Sequence, residues 1–328
     1  MIRLFETFVK VQVIRLYEIR QNKQMKFADD SRQIKMHPDE IEMDAGLVHT
    51  LLAEQFPQFA SRPLKLVRST GTVNAIYRLG EDLYVRLPRS AAWARDIDHE
   101  WTWLPKIEPH ISLQIPHPVA KGRPSARYPH PWTVYRWIEG QPYCSDLVHD
   151  ECQAAEDLAN FILEMRRISL TGAPHAGRKP LIELDDMTRA AIQAAAGVID
   201  TTAVTAAWER SLEAPAWDRQ PVWIHADLLR SNLLVRDGRL CAVIDFGGSG
   251  VGDPAFDVVP AWSVFQQNGR DTFRKSMDID EGTWSRGRGY ALHQALLIIP
   301  YYAETNPGFV RQAKQTVDQV LTDLGMAG

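Results

Sequence analysis

The chain has 328 residues, 45% hydrophobic and 24% charged, with 37 Lys and Arg against 41 Asp and Glu. This composition excludes collagen, coiled coil and wholesale disorder, and the length suits two domains or one large two-part unit. A net charge of −4 offers no basic field for nucleic acid, and no run of 18 apolar residues marks a membrane span.

The charge is uneven. Residues 1–35 carry eight basic and four acidic groups, whereas residues 141–328 carry 17 basic and 25 acidic ones. An acidic excess of that size is first a solvated surface, and second a bias towards cationic ligands. Three cysteines, Cys144, Cys152 and Cys241, form neither a disulfide framework nor a C-x-x-C zinc pair. Reduced thiols and the lack of a signal-peptide pattern make the cytoplasm the expected location.

Residues 1–35 alternate briefly at Val9, Val11 and Val13, then turn polar, and are expected to be an extension of uncertain structure. Leu47, Val48, Leu51, Leu52 and Phe56 have helical spacing that Pro57 interrupts. Leu64–Arg68, Ala75–Leu79 and Leu83–Leu87 read as an antiparallel meander punctuated by Gly71 and Gly80. Trp93, Ile97, Trp101 and Leu104 then stripe a helix over Ala92–Ile107. Proline-rich loops occupy Pro109–Pro131, and Trp132–Ile138 is a strand ending at Glu139-Gly140. Beyond it, helices are expected over Asp150–Ile168, Leu181–Ala214 with a break near Gly197, Asp257–Phe265, Tyr290–Tyr302 and Val310–Leu324. Short strands fall at Val222–Ile224, Leu233–Arg236 and Cys241–Ile244. The expected division is an N-terminal lobe over 36–139 and a helical lobe over 140–328.

The chemistry concentrates in Val222–Asp257, VWIHADLLRSNLLVRDGRLCAVIDFGGSGVGDPAFD. It holds His225-x-Asp227, then Asn232, then Ile244-Asp245-Phe246-Gly247. Phosphoryl transfer demands positioning more than covalent chemistry. It needs an acidic group to accept a hydroxyl proton and oxygen ligands to hold Mg²⁺ against phosphates. A loop carboxylate, an amide five residues later and a carboxylate at the next strand end can supply these. The intervening hairpin brings Asn232 and Asp245 together.

H-x-D-x-x-x-x-N followed by I-D-F-G resembles the catalytic core of the protein-kinase-like fold. With Gly252-Asp253-Pro254-Ala255-Phe256-Asp257 close behind, and no A-P-E segment, it is similar to the aminoglycoside phosphotransferase family, which includes macrolide and choline kinases. The resemblance spans roughly residues 45–325. It implies an α+β, protein-kinase-like fold with a small antiparallel-sheet lobe and a larger, mainly helical lobe. It makes Asp227 the catalytic base and Asn232 and Asp245 the Mg²⁺ ligands, while His225 braces the loop. Ala226 stands where most relatives have glycine, and one methyl group is a mild change.

By the same resemblance, Ser69, Gly71, Thr72 and Asn74 of the S-x-G-x-x-N turn close over the nucleotide. Arg86 on the third strand takes the place of the phosphate-pairing lysine, and Glu100 on the next helix orients it. A guanidinium can grip phosphate bidentately, although its bulk alters the geometry. Tyr135 takes the gatekeeper position, with the Arg136 carbonyl and the Ile138 N–H reading the purine. A bulky gatekeeper accompanies GTP use in some antibiotic kinases of the family, so GTP is expected to serve at least as well as ATP.

Asp253, Trp262, Trp284, Arg288, Tyr290, Tyr301 and Tyr302 are candidate pocket residues, although aromatics at helical spacing are more often core. Trp284 follows the acidic cluster Asp278-Ile279-Asp280-Glu281, which would suit a cationic amino sugar or simply cap a helix. The resulting expectation is transfer of the γ-phosphate of ATP or GTP to a hydroxyl of a small molecule, led by aminoglycoside-type antibiotics. A metabolic kinase for a sugar or amino alcohol is the alternative, as is a weakly active nucleotide-binding module.

Overall fold

The computed structural model describes residues 43–67 and 74–326. The expected extension over 1–35, and Ser69, Gly71 and Thr72 of the glycine loop, lie outside them. The described chain forms two compact units. One runs to Val148 and takes in Ser231–Gly248; the other comprises His149–Arg230 and the chain from Ser249 onward.

The first unit begins with α1, Ala45–Gln55, whose N-cap Asp44 accepts the Leu47 N–H at 2.7 Å. Such a cap satisfies a helix-end donor that has no intrahelical partner. The meander follows as β1 (Leu64–Leu66), β2 (Asn74–Leu79) and β3 (Leu83–Pro88), with helix α2 at Ala91–Ile107. Strands β4 (Pro118–Gly122) and β5 (Trp132–Arg136) complete a sheet ordered β1-β2-β3-β5-β4. In β2, Ala75, Tyr77 and Leu79 are buried and alternate with half-exposed neighbours, as a sheet with one core face requires. They pack with Val48, Leu51 and Leu52 of α1 and with Val85, Leu87, Trp132 and Val134.

Strand β4 lies in the stretch expected to be loop. Among the described residues it pairs only with β5, so Pro118 sits on an edge where its missing N–H breaks no ladder. A short strand β6, Gln141–Pro142, pairs with Leu233–Arg236, which forms a hairpin with Arg239–Val243. Its two-residue turn, Asp237-Gly238, has φ of 52° and 76°, the left-handed pair favoured by such hairpins. A bridge from Gln114 to Ala242 further ties the hairpin to this unit.

The second unit is mainly helical: α3 (Glu151–Arg166), α4 (Asp185–Ala194), α5 (Thr201–Leu212), α6 (Pro260–Ser263), α7 (Gln267–Ser276), α8 (Glu281–Tyr301) and α9 (Pro307–Asp323). Asp150, Asp200, Asp280 and Asn306 cap α3, α5, α8 and α9 through side-chain oxygens. Helix α8 is the central element. It is buried almost all round and packs against α4, α5, α6 and α9, as expected of a helix without a polar face. It starts nine residues before the expected Tyr290, and α7 falls where no helix was expected. A short antiparallel pair joins Val222–Ile224 to Gly250–Gly252. Among the described residues, no helix is long and apolar enough to cross a membrane.

Candidate active site

In the first unit, strand β3 carries Arg86, opposite Ile76 on β2 and Thr133 on β5. Its guanidinium is buried, with 5% of the residue exposed. Nη1 donates to Glu100 Oε1 at 2.7 Å, and Nη2 donates to Asp245 Oδ1 at 3.1 Å. With its amide oxygen turned inward, Asn74 accepts from Nε and Nη2, each at 3.1 Å. Arg86, Glu100, Asn74 and Asp245 thus meet in one cluster. Burial alone would lower the Arg86 pKa, but Glu100 and Asp245 outweigh it and hold the pKa well above the ordinary arginine value. The guanidinium therefore stays charged and is fixed between two carboxylates.

Tyr135 lies on β5 directly opposite Tyr84, its ring stacked on it at 5.1 Å. Its hydroxyl donates to Glu100 Oε2 at 2.6 Å, so Glu100 uses one oxygen for Arg86 and the other for Tyr135. Burial and the nearby Glu100 push the tyrosine pKa well above its usual value, keeping it a donor. Beyond Tyr135, the exposed Arg136 gives its N–H to the His117 carbonyl, and Trp137 gives its N–H to the Asp82 carbonyl. Arg136 and Trp137 are therefore held at the end of β5 by backbone bonds, and Ile138 follows them.

Asn232 and Asp245 sit at the open end of the hairpin, where the Ile244 N–H donates to the Asn232 carbonyl at 2.9 Å. Asp245 adopts φ of 69°, a conformation that short polar side chains tolerate. Among the described residues, no cluster of three or more His, Cys, Asp or Glu is arranged to hold a metal. Asn232 and Asp245 nonetheless fit Mg²⁺. They are hard oxygen donors, and Mg²⁺ takes one or two protein ligands and completes its shell with phosphates and water.

In the second unit the loop that carries His225, Ala226 and Asp227 is held from below. Asp257, fully buried, accepts the His225 N–H at Oδ2 and the Ala226 N–H at Oδ1, both at 2.8 Å. Arg178 donates to the Ala226 carbonyl, and the Asp227 N–H donates to His225 Nδ1 at 3.3 Å. His225 therefore braces the loop. Burial raises the Asp257 pKa to about 6, against the pull of the two backbone donors and of Arg166 and Arg178. Ala226 has φ of 66°. A side chain in that region costs roughly 1–2 kcal/mol, so the alanine is more than a neutral methyl.

Asp227 lines a small pocket, with room for about one water, together with Leu228, Phe256, Tyr290, His293 and Gln294. Gln294 Nε2 lies 3.5 Å from Asp227 Oδ1. Tyr290, stacked on Phe256 at 3.7 Å, is the one sequence candidate among the aromatics that reaches this pocket. Trp262 and Trp284 are buried against each other at 4.5 Å and belong to the core. Asp280 caps α8, as the simpler reading of the acidic cluster had it. Asp253 is gripped by the Arg286 fork at 2.7 and 3.1 Å, and Arg288 pairs with Asp323 at 2.9 Å. Tyr302 is buried beside the half-buried Tyr301, its ring 4.6 Å away. His293 and Gln294 were not among the sequence candidates.

The model of the phosphotransferase enzyme family matches residues 67–291. The chain belongs to that family. A search of curated proteins returns no match. Among solved structures, the fold is similar to a GDP complex of a mutant aminoglycoside 2'-phosphotransferase-IIIa, at 19% identity and a TM-score of 0.70, covering 87% of this chain and all of that one. It is also similar to a phosphotransferase solved with GDP and kanamycin, at 18% identity and a TM-score of 0.68, covering 84% and 98% of the two chains. A macrolide 2'-phosphotransferase type I follows at 16% identity and a TM-score of 0.58, covering 85% and 98%. The fold of this phosphotransferase is therefore protein-kinase-like, with one unit built on an antiparallel sheet and the other mainly helical.

Proposed function

We propose that this phosphotransferase moves the γ-phosphate of ATP or GTP to a hydroxyl of a small molecule in the presence of Mg²⁺. The observation that carries the reading is the buried Arg86 guanidinium held between Glu100 and Asp245. It fixes a permanent cation beside an oxygen ligand, as phosphate binding requires. Asp227 accepts the proton of the attacking hydroxyl, and the Asp257 clamp keeps its loop from reorganising during transfer. Asn232 and Asp245 would hold Mg²⁺, which when bound neutralises charge developing on the phosphates. Ser69, Gly71, Thr72 and Asn74 close over the phosphates, and the Arg136 carbonyl and Ile138 N–H take the purine.

The acceptor class favoured is an aminoglycoside or related antibiotic. The relatives solved with kanamycin and other aminoglycosides support this, as does the acidic excess of residues 141–328. A sugar or amino alcohol of metabolism is the competing acceptor. The test is Mg²⁺-dependent nucleotide turnover, with GTP and ATP in parallel, against aminoglycosides, macrolides and small amino alcohols, with Asp227→Ala as control. Acceptor-stimulated turnover that disappears in the control is expected. Stimulation surviving in Asp227→Ala would overturn the assignment of the base.

A further inference from the structure

Helix α2 turns two acidic residues, Asp96 and Glu100, onto one face, because they stand at i and i+4. Both are buried: Glu100 is inaccessible and Asp96 is 8% exposed. Glu100 has partners for both oxygens, Arg86 for one and Tyr135 for the other. Asp96 does not. Among the described residues its buried Oδ2 has no hydrogen-bond partner.

The surroundings of that oxygen are all in the first unit. Helix α2 packs against the turn Phe246–Gly248, which directly follows Asp245. A Cβ on Gly247 would lie 2.8 Å from Asp96 Oδ2, so glycine is what admits the carboxylate there. Asp245 and Glu100 repel a charge on Asp96, and Arg86 attracts it, so the four side chains form one electrostatic cluster. Its formal charge does not balance. Among the described residues, Asp96, Glu100 and Asp245 face the Arg86 guanidinium as their one cation. Buried charges are paired or coordinate metals, and like charges repel more strongly where water is excluded. A divalent cation makes up the deficit.

We propose that Asp96 is a positioning residue for the cation held at Asp245, its Oδ2 accepting a hydrogen bond from water bound to that cation. The inference rests on Asp245 being a ligand of Mg²⁺. Asp96 acts through water because, among the described residues, no three acidic groups are arranged to hold a metal directly. Mg²⁺ bound by one or two carboxylates keeps several of its waters. The hydrogens of those waters need acceptors, and an outer carboxylate both orients them and adds negative charge. Asp96 offers such an acceptor, already buried and without a competing donor among the described residues. The same placement accounts for a carboxylate that neither Arg86 nor Tyr135 engages.

The probe is Mn²⁺, which takes the same oxygen ligands as Mg²⁺ and whose free form is counted by electron paramagnetic resonance. The full chain is titrated with Mn²⁺ alone, and thermal unfolding near neutral pH is followed with and without the metal. The wild type should bind Mn²⁺ saturably, and Asp245→Asn should lose that binding. Asp96→Asn should weaken it by about 10–100-fold. Without metal, Asp96→Asn should be no less stable than the wild type, because repulsion from Asp245 and Glu100 is relieved. With metal, its Tm should rise less than that of the wild type. A residue serving only the packing of α2 would instead lower Tm equally with and without metal, and that result would overturn the inference. Asp96→Ala carries the same test if the asparagine variant does not fold. Wild-type Mn²⁺ affinity in the Asp96 variant, with binding still lost in Asp245→Asn, would overturn the role of Asp96 and leave Asp245 as the ligand. Unchanged binding in Asp245→Asn, or no binding by the wild type, would overturn the metal site itself and this inference with it.

Discussion

Replacing Asp257 with asparagine separates the two roles of that carboxylate. In the wild type both oxygens accept, from the His225 and Ala226 N–H groups at 2.8 Å. Asparagine offers one acceptor and turns an NH₂ towards the other donor. One buried N–H is then left unsatisfied, at a cost of about 1–3 kcal/mol. Against that, burial has raised the Asp257 pKa from 3.8 to about 6, so at neutral pH the folded protein carries a disfavoured buried charge. The sign follows from the raised value. Folding takes up a proton, and the stabilisation is complete below the unfolded pKa and lost as pH rises through 6. The full window is about 3 kcal/mol, and its part between pH 7 and pH 5 is about 1.3 kcal/mol.

Asparagine does not titrate. The stability of the variant should therefore be near that of the wild type at pH 7, and should fall behind by about a further 1.3 kcal/mol at pH 5. Urea unfolding at pH 5, 6 and 7 reads this difference, and hydrogen exchange at His225 and Ala226 localises it. A loop displaced by even 1 Å also predicts a roughly hundredfold loss of phosphoryl transfer. Parallel pH–stability curves for the two proteins would refute the reasoning, because they would mean that Asp257 does not take up a proton on folding.

Other expectations follow from the same geometry. Arg86→Lys should reduce nucleotide turnover at least tenfold, since Nη1 and Nη2 serve Glu100 and Asp245 separately and one ammonium on a different stem cannot reproduce the fork; steady-state kinetics decide it. Tyr135→Phe should destabilise the first unit by about 1.5–3 kcal/mol, the range for a hydrogen bond to a charged group, as read by denaturant titration. Ala226→Gly should relieve the left-handed strain and, after the added backbone entropy of glycine, raise stability by about 0.5–1 kcal/mol in the same assay. GTP should support turnover at least as well as ATP, and side-by-side kinetics favouring ATP would remove that expectation.

What the sequence made legible depended on local rules. The short strands Leu233–Arg236 and Cys241–Ile244 were legible as a hairpin, so the meeting of Asn232 and Asp245 at its open end could be anticipated. The strand-like run of β2 between Gly71 and Gly80, and the helical stretch of α3, were legible as well. Helix α8 was missed over its first nine residues because Gly287 and Gly289 dilute its pattern. A Cβ on Gly287 would lie 2.7 Å from Val258, and one on Gly289 2.7 Å from Leu181, so both are demanded by close packing. Helix α7 buries only Gly269, Arg270 and Phe273, too few apolar positions to show a period. Ala226 looked like a small substitution until its φ was known. His293 and Gln294 read as ordinary core residues of a buried helix. Only the tertiary structure sets them beside Asp227.

The use of arginine at position 86 also bears on how the protein can be found and labelled. Nucleotide reagents that tag kinases by acylating an amine beside the phosphates need a nucleophilic nitrogen. Arg86 offers a guanidinium that Glu100 and Asp245 keep protonated at every accessible pH. If Arg86 faces the nucleotide as proposed, such reagents would leave this position unlabelled. Profiling this phosphotransferase in cells would call for photochemical or reversible nucleotide probes instead.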